Sequence, residues 1–145
     1  QREVPAAPHG DPRPAVSGMY SSLGISGSGL RAFRTWIDSI SDNISNLNTV
    51  RPTSEAAYQA RYIQTTDDPN GGTLVTGVRF GPATGIVVSD PTNPLADQYG
   101  LVRRPDIDLN EQMTSLLIAQ RGYQANVAVV ERAREAYQQA LTLGK

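Results

Sequence analysis

Two apolar stripes, one near each end of the chain, constrain this sequence more than any other feature. Near the beginning, Leu30, Phe33, Ile37, Ile40, Ile44 and Leu47 recur at steps of three and four. Near the end, Leu109, Met113, Leu116, Tyr123, Val127, Val130, Tyr137 and Leu141 do the same, with Gln120 and Arg134 in the two remaining heptad slots. This is the pattern of a helix that buries one seam against another helix. Ser26 or Ser28 can cap the first helix, and Pro52 closes it, since proline disfavours helix at the residue before it. Asp108, with Glu111 three residues on, forms the start of the second helix, and Gly144 is its expected C-terminal cap. The first helix then spans about 30 Å and the second about 54 Å.

Between the stripes the period changes. Tyr58, Ala60 and Tyr62 alternate with polar residues, and Asp67-Asp68-Pro69-Asn70-Gly71-Gly72 is a strong turn signal. Thr73–Phe80 reads as a strand, and Gly85-Ile86-Val87-Val88 reads as a further short one. Residues 95–105 read as irregular. The fold class expected is mainly α with a small β element. Two long terminal helices pair as a coiled-coil-like hairpin around a short antiparallel β insertion, giving an elongated molecule. The divisions are a Pro-rich disordered arm or non-native remnant over 1–18, a helix over 19–52, a β-hairpin and irregular middle over 53–105, and a long helix over 106–145, with both helices in one core domain.

A 54 Å helix outreaches a partner of 30 Å, so part of its stripe would face water in an isolated chain. Apolar crowding at Leu116-Leu117-Ile118 and at Val127–Val130 widens the stripe beyond what one neighbour covers. The stripes therefore predict assembly with further helices.

Composition narrows the function. The net charge is −1 and the basic residues are scattered, so the dense cationic patch that neutralises phosphates is missing and no nucleic-acid partner is expected. The chain has no cysteine, which removes disulfides, thiolate nucleophiles and Cys-type zinc sites. No apolar run reaches the roughly 20 residues that span a bilayer, so no membrane insertion is expected. No charged region followed by an apolar one opens the sequence, so export by a cleaved signal of that kind is not expected. The single histidine, His9, lies in the Pro-rich arm with no second ligand near it. Asp106, Asp108 and Glu111 are explained by capping and by the positive end of the helix dipole. Asp67, Asp68 and Asn70 lack the glutamate of a calcium loop and read as a turn. Asn43-Ile44-Ser45 fits a glycosylation pattern but falls on a helix and is discounted. A hydrolase would need an acid/base pair or metal ligands in one cleft, and the sequence offers neither. No catalytic residue, metal or cofactor is expected. The remaining rival to an assembly subunit is a small soluble binding module of the cell envelope that uses the β element.

At both ends the residues become recognisable. Ser41-Asp42-Asn43-Ile44-Ser45-Asn46-Leu47-Asn48-Thr49 is similar to the Asn-Leu-Ala-Asn signature of flagellar rod and hook proteins, with Ile44 and Ser45 in place of Leu and Ala. Asp90-Pro91, Asn93-Pro94-Leu95-Ala96-Asp97, Gly100-Leu101-Val102 and Gln120-Arg121-Gly122-Tyr123-Gln124-Ala125-Asn126 resemble the C-terminal half of proximal flagellar basal-body rod proteins, and the short middle resembles theirs too. The resemblance covers about residues 19–145. It implies a subunit of the flagellar rod, the drive shaft crossing the periplasm. It also implies export through the flagellar type III apparatus, and packing of terminal helices against other copies and other rod proteins. The expected interface is Leu30, Phe33, Ile37, Ile40, Ile44 and Leu47 with the amides of Asn43 and Asn46. On the second helix it is Met113, Leu116, Gln120, Tyr123, Asn126, Val127, Val130, Tyr137 and Leu141. Gln120, a polar residue on an apolar seam, would set register there.

Overall fold

The computed structural model describes residues 13–69 and 71–143. In chain order these form α1 (Arg13–Ser45), β1 (Arg51–Pro52), β2 (Arg61–Asp67), β3 (Thr73–Phe80), β4 (Ile86–Ser89), β5 (Leu101–Arg104) and α2 (Leu109–Leu143). About half of the chain is helical, and the strands make two small antiparallel sheets.

α1 starts at Arg13, well before the expected caps. Pro14 falls in its first turn, where a missing N–H breaks no helical bond. Ser26 and Ser28 are not caps but buried residues in mid-helix. Ser28 Oγ donates to the Ile25 carbonyl at 2.7 Å and accepts the Thr73 N–H at 3.2 Å. The Gly/Ser run exists for close packing, because Gly72 of the hairpin turn lies directly on Ser28. Tertiary contact outweighs the weak helix preference of glycine there. Residues 13–18 thus belong to α1, while residues 1–12, including His9, lie outside the described residues, as does Gly144.

α1 also ends early, at Ser45. Asn46 terminates it: Nδ2 donates to the Asp42 carbonyl at 2.8 Å, and Oδ1 accepts the Thr49 hydroxyl at 3.1 Å. The Asp42 carbonyl also accepts the Asn46 N–H at 3.1 Å, so side chain and backbone of Asn46 both close the last turn. Leu47 consequently sits in the turn that follows the helix. At the other end, Asp108 caps α2 as expected. Its Oδ1 accepts the Asn110 N–H at 2.7 Å and the Glu111 N–H at 3.3 Å.

The helices pair antiparallel. Asn43 meets Gln112, the Phe33 ring lies on Gly122, and Gly29 lies on Asn126. α1 has 33 residues and α2 has 35, so both are about 50 Å long. The length mismatch expected from the sequence does not exist.

β2 and β3 form a hairpin laid along α1. Arg61 reaches Ser39 and Asn43, and the turn reaches Ser28. Gln64 pairs with Gly77 and Thr65 with Val75, so Thr76 is an extra residue on β3. This bulge puts Val75 and Val78 on the same side as Ile63, which plain alternation would not do. The turn is as expected, with Asp68 N–H bonded to the Gly72 carbonyl at 3.0 Å and positive φ at Gly71 and Gly72.

The strand at 86–89 does not extend that hairpin. It joins a second sheet in the order β1-β5-β4, with β5 central. The β5 region, expected to be irregular, is a strand, although Leu101-Val102 is followed by two arginines. Here the arginines serve as ties: Arg103 donates to the carbonyls of Thr84 and Thr53, holding strand and loops together. Val102, wholly buried, is the middle of this sheet, facing Pro52 and Val88 on either side. Pro52 is tolerated because β1 is an edge strand.

Candidate assembly interface

The face that α2 turns toward α1 is not the apolar stripe. Gln112 and Ala119 are buried, and Ser115, Gly122 and Asn126 are half-buried. Those five positions also step by three and four. They form the stripe shifted by one residue, a rotation of about 100° around the helix. The cause is Phe33. Its ring occupies the place a Cβ at position 122 would take, so only glycine fits there, and that contact fixes the rotation of α2. Asn126 donates to the Gly122 carbonyl at 2.8 Å and lies beside Gly29, another position without a side chain.

The polar centre of this seam is Asn43, with none of its surface exposed. Nδ2 donates to the Arg61 carbonyl at 2.9 Å and to Gln112 Oε1 at 3.0 Å. Oδ1 accepts the Arg61 N–H at 2.8 Å and the Tyr58 hydroxyl at 3.5 Å. Ser39 adds a bond to the same Arg61 carbonyl at 2.8 Å. One amide thereby joins α1, α2 and the hairpin. Beside it, Arg79 stacks 4.4 Å above the Tyr62 ring. Burial, then the charge of Glu111, holds the Tyr62 hydroxyl above its usual range.

The expected interface residues therefore divide. On α1, Asn43 and Ile40 are buried by their own chain. Leu30, Phe33, Ile37, Ile44, Asn46 and Leu47 are half-buried. Asn43, fully buried, spends its amide within the chain, and Asn46 bonds the Asp42 carbonyl and the Thr49 hydroxyl while staying half-buried. On α2 the stripe points outward. Met113 is 47 % exposed, and Tyr123, Tyr137 and Leu141 are exposed as well. Gln120 is exposed and lies off the helix–helix seam; Gln112 holds the register position instead. Leu116, Asn126, Val127 and Val130 are half-buried along the border. A second exposed apolar line, Ile118 and Val129, flanks the seam on the opposite side. Sequence reading missed Gln112, although its step of three to Ser115 and of seven to Ala119 was legible.

Among the described residues, no group of three or more His, Cys, Asp or Glu is placed to hold a metal. No helix of these residues is long and apolar enough to cross a membrane.

Comparison with known proteins identifies the family. The family model described as flagellar basal body rod FlgEFG protein C-terminal matches residues 99–143, which cover β5 and α2. The flagellar basal-body rod protein FlgC of Yersinia enterocolitica is 33 % identical over 83 % of this chain and 94 % of its own length. The FlgC proteins of Borreliella burgdorferi and Bacillus subtilis are 28 % and 27 % identical, each over 87 % of this chain and over 97 % and 98 % of theirs. With the relatives spanned almost end to end, and one of them 33 % identical, this chain belongs to the FlgC family of flagellar basal-body rod proteins.

Proposed function

We propose that this chain is a structural subunit of the flagellar basal-body rod that joins its neighbours through the outward face of α2. Its place is the rod, beside other rod proteins, and its role is mechanical, the transmission of torque for motility. Family membership supports the place. The observation that supports the face is the exposure of Met113 and Leu117, at 47 % and 55 %, on a helix whose opposite seam is already filled. Covering a half-exposed side chain of this size stabilises an interface by about 1 kcal/mol. Several on one helix face outweigh the cost of bringing two subunits together only where contacts repeat, as they do in a tube. Knobs-into-holes packing of the stripe then belongs to the assembled rod, with other copies and other rod proteins as partners. Passage through the flagellar type III apparatus completes the reading, on the strength of the family alone.

The test is Met113→Asp and Leu117→Asp. Both side chains are exposed in the subunit, so urea unfolding should move by no more than about 0.5 kcal/mol. A charge placed in an apolar contact is strongly disfavoured, so incorporation into basal bodies and swimming in soft agar should be lost. Full motility of both variants would sink the proposal.

A further inference from the structure

The loop between β4 and β5 spends many hydrogen bonds to hold two apolar side chains in water. Tyr99 is 76 % exposed and Leu95 is exposed beside it. Yet the backbone of each is pinned. The Leu95 N–H donates to Asn93 Oδ1 at 3.0 Å, and the Tyr99 N–H donates to Asp97 Oδ1 at 2.9 Å. Asp97 also accepts from the Leu101 N–H at 3.0 Å and from the Thr53 hydroxyl at 2.8 Å. Asp90 N–H bonds the Gly100 carbonyl at 2.9 Å, closing the loop, and Gly100 turns it with φ at 74° against Pro91. A loop tied in this way loses little freedom when its tip is bound, which favours association.

The same chain carries an unfilled crevice. Phe33 and Trp36 of α1 stack with centroids 6.2 Å apart, and Thr65, Asp67 and Thr73 of the hairpin rise beside them. The crevice holds about 240 Å³. This is below the roughly 300 Å³ at which small-molecule sites begin, and suits a single side chain. Its floor is aromatic, and its one charged group is the Asp67 carboxylate, which makes no ion pair among the described residues. An aromatic ring with a hydroxyl donor at its tip meets both features. Tyr99 cannot fill the crevice of its own molecule. Its loop is anchored to Thr53, beyond the C-terminal end of α1, whereas Phe33 lies in mid-helix.

We propose that Tyr99 of one copy inserts into the Phe33–Trp36–Asp67 crevice of the next copy. The contact is heterologous, knob on one surface and crevice on another. A contact of that kind that does not close makes a helical filament, the symmetry a rod subunit needs. It deepens the assembly reading above and rests on it. It also adds a connection carried by the β region, distinct from the outward face of α2.

The chain has no cysteine, which permits a clean test. Tyr99→Cys and Thr65→Cys variants, carrying tags of different size, are expressed beside the wild-type chain in cells that build rods, and the cells are oxidised. The expected result is a mixed disulfide dimer, at least about tenfold above that from either variant alone. Leu95→Cys with Thr65→Cys repeats the test with the Tyr99 knob intact. No mixed dimer from either pairing, with the variants present in isolated basal bodies, overturns the knob-and-crevice contact and leaves the assembly reading standing. An equal dimer from Tyr99→Cys alone overturns it as well, since that contact would be symmetric. Absence of the wild-type chain from isolated basal bodies overturns instead the assembly reading.

Discussion

A buried asparagine is costly unless its polar atoms are all met, and Asn43 of α1 has partners on two other elements, β2 and α2. Removing its amide strands the Arg61 N–H and Gln112 Oε1 at a position closed to solvent. Each such orphan costs about 1–3 kcal/mol. Asn43→Ala is therefore expected to destabilise the subunit by about 2–4 kcal/mol, seen as a fall in the urea midpoint with the slope unchanged. Asn46→Ala removes only two bonds at a half-buried helix end, where water can replace them, and should cost about 1 kcal/mol or less. Equal effects for the two would refute the central role of Asn43. The sequence marks both asparagines as misfits on a helix, but it cannot tell them apart. The distinction comes from Gln112, 69 positions away, and from the Arg61 backbone, 18 away. A polar side chain declares itself locally, whereas its partner is set by the fold.

Among the elements, those set by local chemistry were legible. The Asp108 cap, the hairpin turn at Asp67–Gly72 and the long C-terminal helix follow from residues within a few positions of one another. The Gly/Ser run before Leu30 does not cap a helix and the stretch around Val102 is not irregular, because each answers to a distant partner: Gly72 and Asn126 for the first, Thr53 and Thr84, held by Arg103, for the second. The β4–β5 loop is the clearest case of an element held by side chains rather than by a ladder. The Asp97 carboxylate is held below its usual range, first by the Leu101 N–H and then by the Thr53 hydroxyl. A carboxyl with a lowered folded pKa contributes its stability fully above the unfolded value, about 3.9. That contribution is lost as pH falls through the folded value. The loop should thus be intact at pH 5 and above and should loosen below about pH 4. In an NMR titration the Tyr99 and Leu101 amides should shift together, with a midpoint below 3.9, and Asp97→Asn should abolish the transition. A midpoint at or above 3.9 would contradict the hydrogen-bond account.

At the scale of the whole molecule, stability is unevenly spread. Around Asn43, Gln112 and Ala119 three elements meet and side chains are buried. Toward the C-terminal end of α2, residues 134–143 are all exposed, with Tyr137 and Leu141 among them. A helix end with no buried side chain opens at little cost, while a segment locked by packing opens only with the fold. For the isolated subunit, amide exchange over 134–143 should run at least about a hundredfold faster than over 112–122. If the outward face of α2 is an interface, the same amides should slow toward the protected value once the chain is in the rod. Met113 and Leu117 lie over the protected segment, so their neighbours should change little in exchange while becoming inaccessible to a side-chain label. Uniform protection along α2 in the free subunit would mean that the helix is complete without neighbours. The apolar stripe would then be an exposed surface of a finished fold, and the reading of α2 as a half-built joint would fall.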